Sequence, residues 1–198
     1  MGPRVKSAPP PGRHLERDVS AVDDKPPVRR HREWLRRLQA AALDLPIIVG
    51  WAVFAGVTGS ALRLLDLGFD TPAAWDMFAF STLVLPVAVT FALMEASRRR
   101  ATPGKRRLGL VVVDRMGQRL SIRRSFARST VKFLPWQMAH TAVFQLMAGS
   151  TAAGYLILSI AAQALVLASI VTMAFDSHTR PFHDLIAGTR VLEADGRH

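Results

Sequence analysis

Apolar and charged positions are sharply segregated along this chain. Phe133 to Phe175 is a run of 43 residues without one Asp, Glu, Lys or Arg, and Met77 to Met94 adds 18 more. A third stretch, Leu38 to Leu62, carries a single charge, Asp44. About 20 helical residues cross a hydrocarbon core of roughly 30 Å, so runs of this length predict transmembrane helices. Four segments follow: residues 38–62, 77–96, 134–148 and 153–175. The long neutral run folds back at "AGSTAAG", where Gly149, Ser150 and Gly154 supply a turn. The main alternative for its two halves is a re-entrant hairpin, because the first half is only weakly apolar. Gln137, His140, Thr141 and Gln145 fall on one side of it, which therefore faces protein or water rather than lipid.

Between the second and third segments the pattern changes. "LGLVVVD" (Leu108 to Asp114) reads as a strand followed by a turn at Arg115–Gly117, with room for a second short strand. Ser121 is placed to cap a helix over "RRSFARSTVKF", which reads as a surface helix with snorkelling arginines. The stretch from Arg63 to Asp76 reads as a loop. The ending, "RPFHDLIAGTRVLEADGRH", reads as a helical turn stopped at Gly188 and a short strand over Thr189–Glu193. The two apolar strands are expected to pair. The fold class expected is an all-α polytopic membrane protein: a four-transmembrane-helix bundle with a small cytoplasmic two-stranded ribbon and an interfacial helix.

Charge fixes an orientation for this scheme. Net charge is +11, with 10 Lys and Arg in residues 1–39, 12 in 97–132, 3 after residue 175, and Arg63 alone elsewhere. Basic residues in short loops mark the cytoplasmic side, so four spans with both termini cytoplasmic satisfy the alternation. The bilayer is then the first partner, with anionic lipids attracted to the basic loops. Nucleic acid is not expected, since no groove-reading motif accompanies the arginines. Residues 1–33 have no apolar core of signal-peptide length and are rich in Pro, Arg and Asp. They read as a disordered cytoplasmic tail preceding a membrane domain over 34–198, with "APPPG" as a polyproline stretch.

Chemistry is sparse. Cysteine is absent, which excludes disulfides and thiolate catalysis. "ATPGKRRLG" lacks the first glycine and the hydroxyl of a phosphate-binding loop. Asp176, His178, His183 and Asp184 are metal-ligand types without a zinc spacing. No nucleophile–base pair appears, so neither an enzyme, a metal site nor a cofactor is expected. Asp44 is the strongest single signal, because a carboxylate inside a membrane segment is costly. It reads either as a protonatable or cation-binding group in a hydrated vestibule or as a buried anchor. Arg37, seven residues earlier, shares its helical stripe roughly 10 Å away, too far for direct contact. His140 reads as a proton-exchanging group or as a neutral hydrogen-bonding one.

"RRLQAAALD" opening a membrane helix, then "TPGKRRLGLVVVD", then "RPFHDLIAGTRVL" together resemble the RDD family of small bacterial membrane proteins over about residues 34–195. The resemblance assigns the family's arginine to Arg37, its first aspartate to Asp44 and its second to Asp184, beside His183. Two departures are the lack of a basic residue within "LGLVVVD" and Pro46 soon after Asp44. The resemblance implies residence in a bacterial inner membrane and leaves activity open. Cation–proton transport with Asp44 is one expectation, with a homo-oligomer completing the pore. A non-transporting adaptor or assembly subunit, with a partner membrane protein, is the other. His183–Asp184 is expected to act as a latch, Asp184 meeting Arg37 or the basic loop.

Overall fold

A computed structural model describes residues 27–176 and 179–194, with side chains from Glu33 onward. The elements in chain order are α1 (Pro27–Leu64), α2 (Pro72–Ala79), a π-helical turn (Phe80–Val84) leading into α3 (Leu85–Ala96), α4 (Pro103–Arg107), β1 (Leu110–Asp114), α5 (Ile122–Met147), α6 (Ala153–Phe175), α7 (Phe182–Ala187) and β2 (Thr189–Glu193). Among the described residues, three helical stretches are long and apolar enough to cross a membrane: Glu33–Leu64, Pro72–Ala96 and Ala153–Phe175.

The connections set the helices end to end. Thr71 caps α2 by accepting from the Ala74 amide, and Pro72 stands in the first turn, where its missing N–H costs nothing. Asp76, expected in a loop, therefore lies inside a helix. Phe69, Trp75 and Phe78 pack edge-on around this corner, and the Arg63 guanidinium lies 4.5 Å from the Trp75 ring centre. We call this the far end of the bundle. The helix through Pro72–Ala96 then returns to the end where α1 begins, α5 leads away again, and α6 comes back to α7.

Several expectations change. The surface helix and the third membrane segment are one continuous helix, α5, capped by Ser121 as expected. No glycine separates the halves, Pro135 sits within the helix, and the charged half is not a surface helix: Ser125, Arg128 and Ser129 are buried. From Phe133 onward α5 offers only residues 133–147 free of charge, roughly 22 Å of helix, short of the hydrocarbon thickness. Residues 118–121 also form no second strand. The tail's boundary moves too, since α1 already begins at Pro27. "APPPG" lies outside the described residues.

The strands pair antiparallel, with Val112 opposite Val191 and Asp114 opposite Thr189. Their inward faces meet α1: Ala40, Leu110, Val112, Leu120 and Val191 form one apolar cluster. A buried valine contributes about 2 kcal/mol, so this small ribbon is fastened to the first helix rather than free. α7 ends at Gly188, whose φ of 63° is left-handed. A side chain there would also meet Arg115 Nε at 3.1 Å, so glycine serves both the turn and the packing. The main core, with Ala55, Val84, Val87, Phe91 and Phe133, is shared by α1, the π-helical turn, α3 and α5.

Candidate functional site

The buried charges gather at the end where α1 begins. Asp44 is 2% exposed. Its Oδ2 accepts from the Thr102 hydroxyl at 2.5 Å and its Oδ1 from the Gly104 amide at 2.8 Å. Thr102 is also the N-cap of α4. The carboxylate thus holds the basic loop against α1 from both oxygens. Pro46 follows inside the helix without breaking it.

The next residue of the loop continues the network. Lys105 Nζ donates to Glu95 Oε1, and Arg128 Nη1 donates to Glu95 Oε2. Arg128 Nε donates to Asp184 Oδ1 at 2.5 Å, and the Thr189 hydroxyl donates to the same oxygen at 2.7 Å. Glu95, Arg128 and Asp184 are all essentially inaccessible. Burial alone would lower the Arg128 pKa, but the two carboxylates raise it above its ordinary value. Burial alone would raise that of Asp184, but Arg128 holds it well below the usual carboxylate range. One guanidinium therefore ties the end of α3 to the terminal motif.

Arg37 reaches the terminal segment through backbone. Its Nη1 donates to the Thr179 carbonyl at 2.6 Å and its Nη2 to the Val191 carbonyl at 2.9 Å. Arg36 donates to the Leu108 carbonyl and to Glu193. Adjacent arginines thus grip β2 and the turn that leads into β1. Asp184 meets the basic segment, through Arg128, as the latch expectation allowed. His183 Nε2 stands 4.0 Å from Asp184 Oδ1. Burial, against the pull of Asp184, depresses the His183 pKa to about 3, so it is neutral near neutral pH. Asp176 is engaged by Arg180 in an ion pair at 2.8 Å, and His178 lies outside the described residues.

A cavity of about 290 Å³ opens beside this network, walled by α1, α5, α6 and α7. Arg37, Lys105, Arg128 and Lys132 line it together with His183 and Asp184. Burial, then the like charge of Lys105, lowers the Lys132 pKa to about 7. The Lys132 ammonium lies over the Phe91 ring at 4.2 Å.

A second polar group lies at the far end. The Thr141 hydroxyl donates to Asp76 Oδ2 at 2.7 Å, and Gln137 Nε2 donates to Asp76 Oδ1 at 3.2 Å. His140 stands between Trp136 and Phe144.

The model of the RDD family matches residues 32–188, most of the chain, a range that includes Arg37, Asp44 and Asp184. The chain belongs to the RDD family. It is a membrane protein of that family with apolar helices. No curated protein and no solved structure matches it.

The RDD arginine and the two aspartates assigned by motif are linked, but not by contact among themselves. Arg37 and Asp184 face one cavity, and Asp44 reaches them through Gly104, Lys105, Glu95 and Arg128. Those intermediaries carry most of the geometry and were not singled out by sequence. Glu95 had one visible signal, a carboxylate ending an apolar run. Arg128 had none that set it apart from its basic neighbours. Lys132 could have been found only by knowing that α5 is continuous.

Proposed function

We propose that this RDD protein is a small ion- or proton-coupled membrane transporter whose path follows α5 rather than Asp44. One observation carries the reading. Two adjacent four-residue rows of α5 are polar at both ends and aromatic in the middle. The first row is Ser125, Ser129, Phe133, Gln137 and Thr141. The second is Arg128, Lys132, Trp136 and His140. Phe91, Phe133 and Trp136 form the intervening layer, with ring centres 5.3 and 6.0 Å apart. Ser129 Oγ on one side, and Gln137 Oε1 and His140 Nδ1 on the other, are buried without a hydrogen-bond partner among the described residues. Unpaired buried polar atoms are rare unless something else satisfies them, and a polar side of a membrane helix marks a substrate or ion route. Asp44 loses its motive as the moving ion's ligand, because both its oxygens already have protein donors.

This reading takes four spans, with α5 completing its crossing by Lys132 snorkelling toward the motif end. The motif end faces the cytoplasm, because the basic segments gather there. The setting is a bacterial inner membrane. Exposed Val53 and Val57 on α1, and Ile157 and Ile160 on α6, face lipid or a second copy.

Proteoliposomes loaded with a pH-sensitive dye provide the test, with several monovalent cations applied in turn. Wild type is expected to dissipate an imposed gradient, and Asp76→Asn and Gln137→Leu are expected to slow it about tenfold or more. Equal, background-level flux in all three proteins, each verified as folded, would remove the proposal. That outcome favours the second reading, a non-transporting adaptor or assembly subunit. Its own support is the network at the motif end, where both oxygens of Asp44 and of Glu95, and Oδ1 of Asp184, are occupied in holding the fold.

A further inference from the structure

The cavity at the motif end has an unusual pairing of wall and floor. Four cationic side chains line it, Arg37, Lys105, Arg128 and Lys132, against one carboxylate, Asp184. Lys105 and Arg128 are committed to Glu95 and Asp184. Lys132 is different: it rests on the Phe91 and Phe133 rings and pairs with no carboxylate among the described residues. The rim is apolar and open. Leu38 of α1 is 44% exposed, and Val166 and Ile170 of α6 are 47% and 49% exposed. Those positions lie within two stretches long and apolar enough to be membrane helices, so the rim meets hydrocarbon rather than water.

A ligand that fits must be anionic at one end and apolar along its length. A free anion would have no use for the rim. We infer that this cleft seats one anionic phospholipid, its phosphate paired with Lys132 and its acyl chains lying against Leu38, Val166 and Ile170. A phosphate placed beside the half-buried Lys132 favours its ammonium form, and the attraction between them is stronger there than at the exposed membrane surface. The excess positive charge of the floor gives a preference for an anionic headgroup over a zwitterionic one. This turns a general attraction of basic loops for anionic lipid into one addressed site, and it does not depend on transport.

The test uses the full chain, stripped of lipid in detergent and titrated with phosphatidylglycerol, phosphatidylcholine or inorganic phosphate. Native mass spectrometry counts retained lipid, and thermal unfolding reports stabilisation. Phosphatidylglycerol is expected to be retained as one molecule, about tenfold more tightly than phosphatidylcholine, with no stabilisation by phosphate alone. Lys132→Gln should remove the preference between the two lipids. Ile170→Trp, which fills the rim and leaves every charge in place, should displace the lipid even if Lys132→Gln folds poorly. Arg99→Gln, on an exposed loop position, should change nothing. Equal retention of the two lipids by wild type would overturn the inference. So would retention unchanged in Ile170→Trp, equal protection by inorganic phosphate, or a dimer that excludes lipid.

Discussion

Arg128→Met is expected to destabilise the protein by about 3–5 kcal/mol, the usual cost of breaking a buried ion pair from one side. The guanidinium is the shared partner of Glu95 and Asp184, and all three side chains are buried. Removing it leaves two buried carboxylates without the cation they share. Lys105 still reaches Glu95, but among the described residues Asp184 keeps the Thr189 hydroxyl as its one side-chain donor, with His183 4.0 Å away. Arg128→Lys should fall between wild type and Met, since one ammonium cannot present two separated donors to two carboxylates. Thermal unfolding in detergent, with monodispersity by size-exclusion chromatography, reads the effect. A midpoint for Arg128→Met close to wild type would mean that the three groups are not packed together.

Gly104→Ala should be comparably severe, although it adds only a methyl group. A Cβ at that position would lie 2.2 Å from the Ala40 carbonyl oxygen and 2.9 Å from Asp44 Oδ1. Neither neighbour is a flexible side-chain end: one is helix backbone, and the other is fixed by two hydrogen bonds. The loop must lift from α1, and the Asp44 carboxylate then loses its donors inside a membrane helix. About 3 kcal/mol is expected, the upper end for overpacking a well-filled site. The same substitution at Gly50 or Gly56 of α1 supplies an internal control. Nothing lies within 4 Å of a Cβ at either, and alanine favours a helix over glycine by about 1 kcal/mol. Those variants should unfold at or above the wild-type midpoint. If Gly104→Ala does the same, the contact between α4 and α1 is not as described.

Much of the fold was readable because two physical signals are strong. Hydrocarbon tolerates few charges, so the first, second and last membrane stretches announce themselves by length. Val111, Val112 and Val191, in short runs bounded by Gly109 and Gly188, announce the ribbon. What failed was a boundary in the middle of α5. Charged residues up to Lys132 followed by neutral ones from Phe133 look like two elements when composition alone is read. They are one helix in which Arg128 finds its partners on α3 and α7, and partners brought together from positions 33 and 56 residues away leave no local trace. The site was legible in the same measure. Asp44 stood out because it is alone in an apolar run, and the terminal His-Asp because it sits between two structural signals. Asp76 did not, since Thr71 and Pro72 start a helix where a cluster of aspartates resembles a loop.

Asp184 and the basic half of α5 act as one unit closing the end of the bundle. A double-mutant cycle on Arg128 and Asp184 tests it most directly, with Arg128→Met, Asp184→Leu and the combined variant unfolded under identical conditions. The combined variant is predicted to lose less than the two singles together, by about 2 kcal/mol or more, because neither leaves the other's charge stranded. Losses that simply add, to within about 0.5 kcal/mol, would contradict the account.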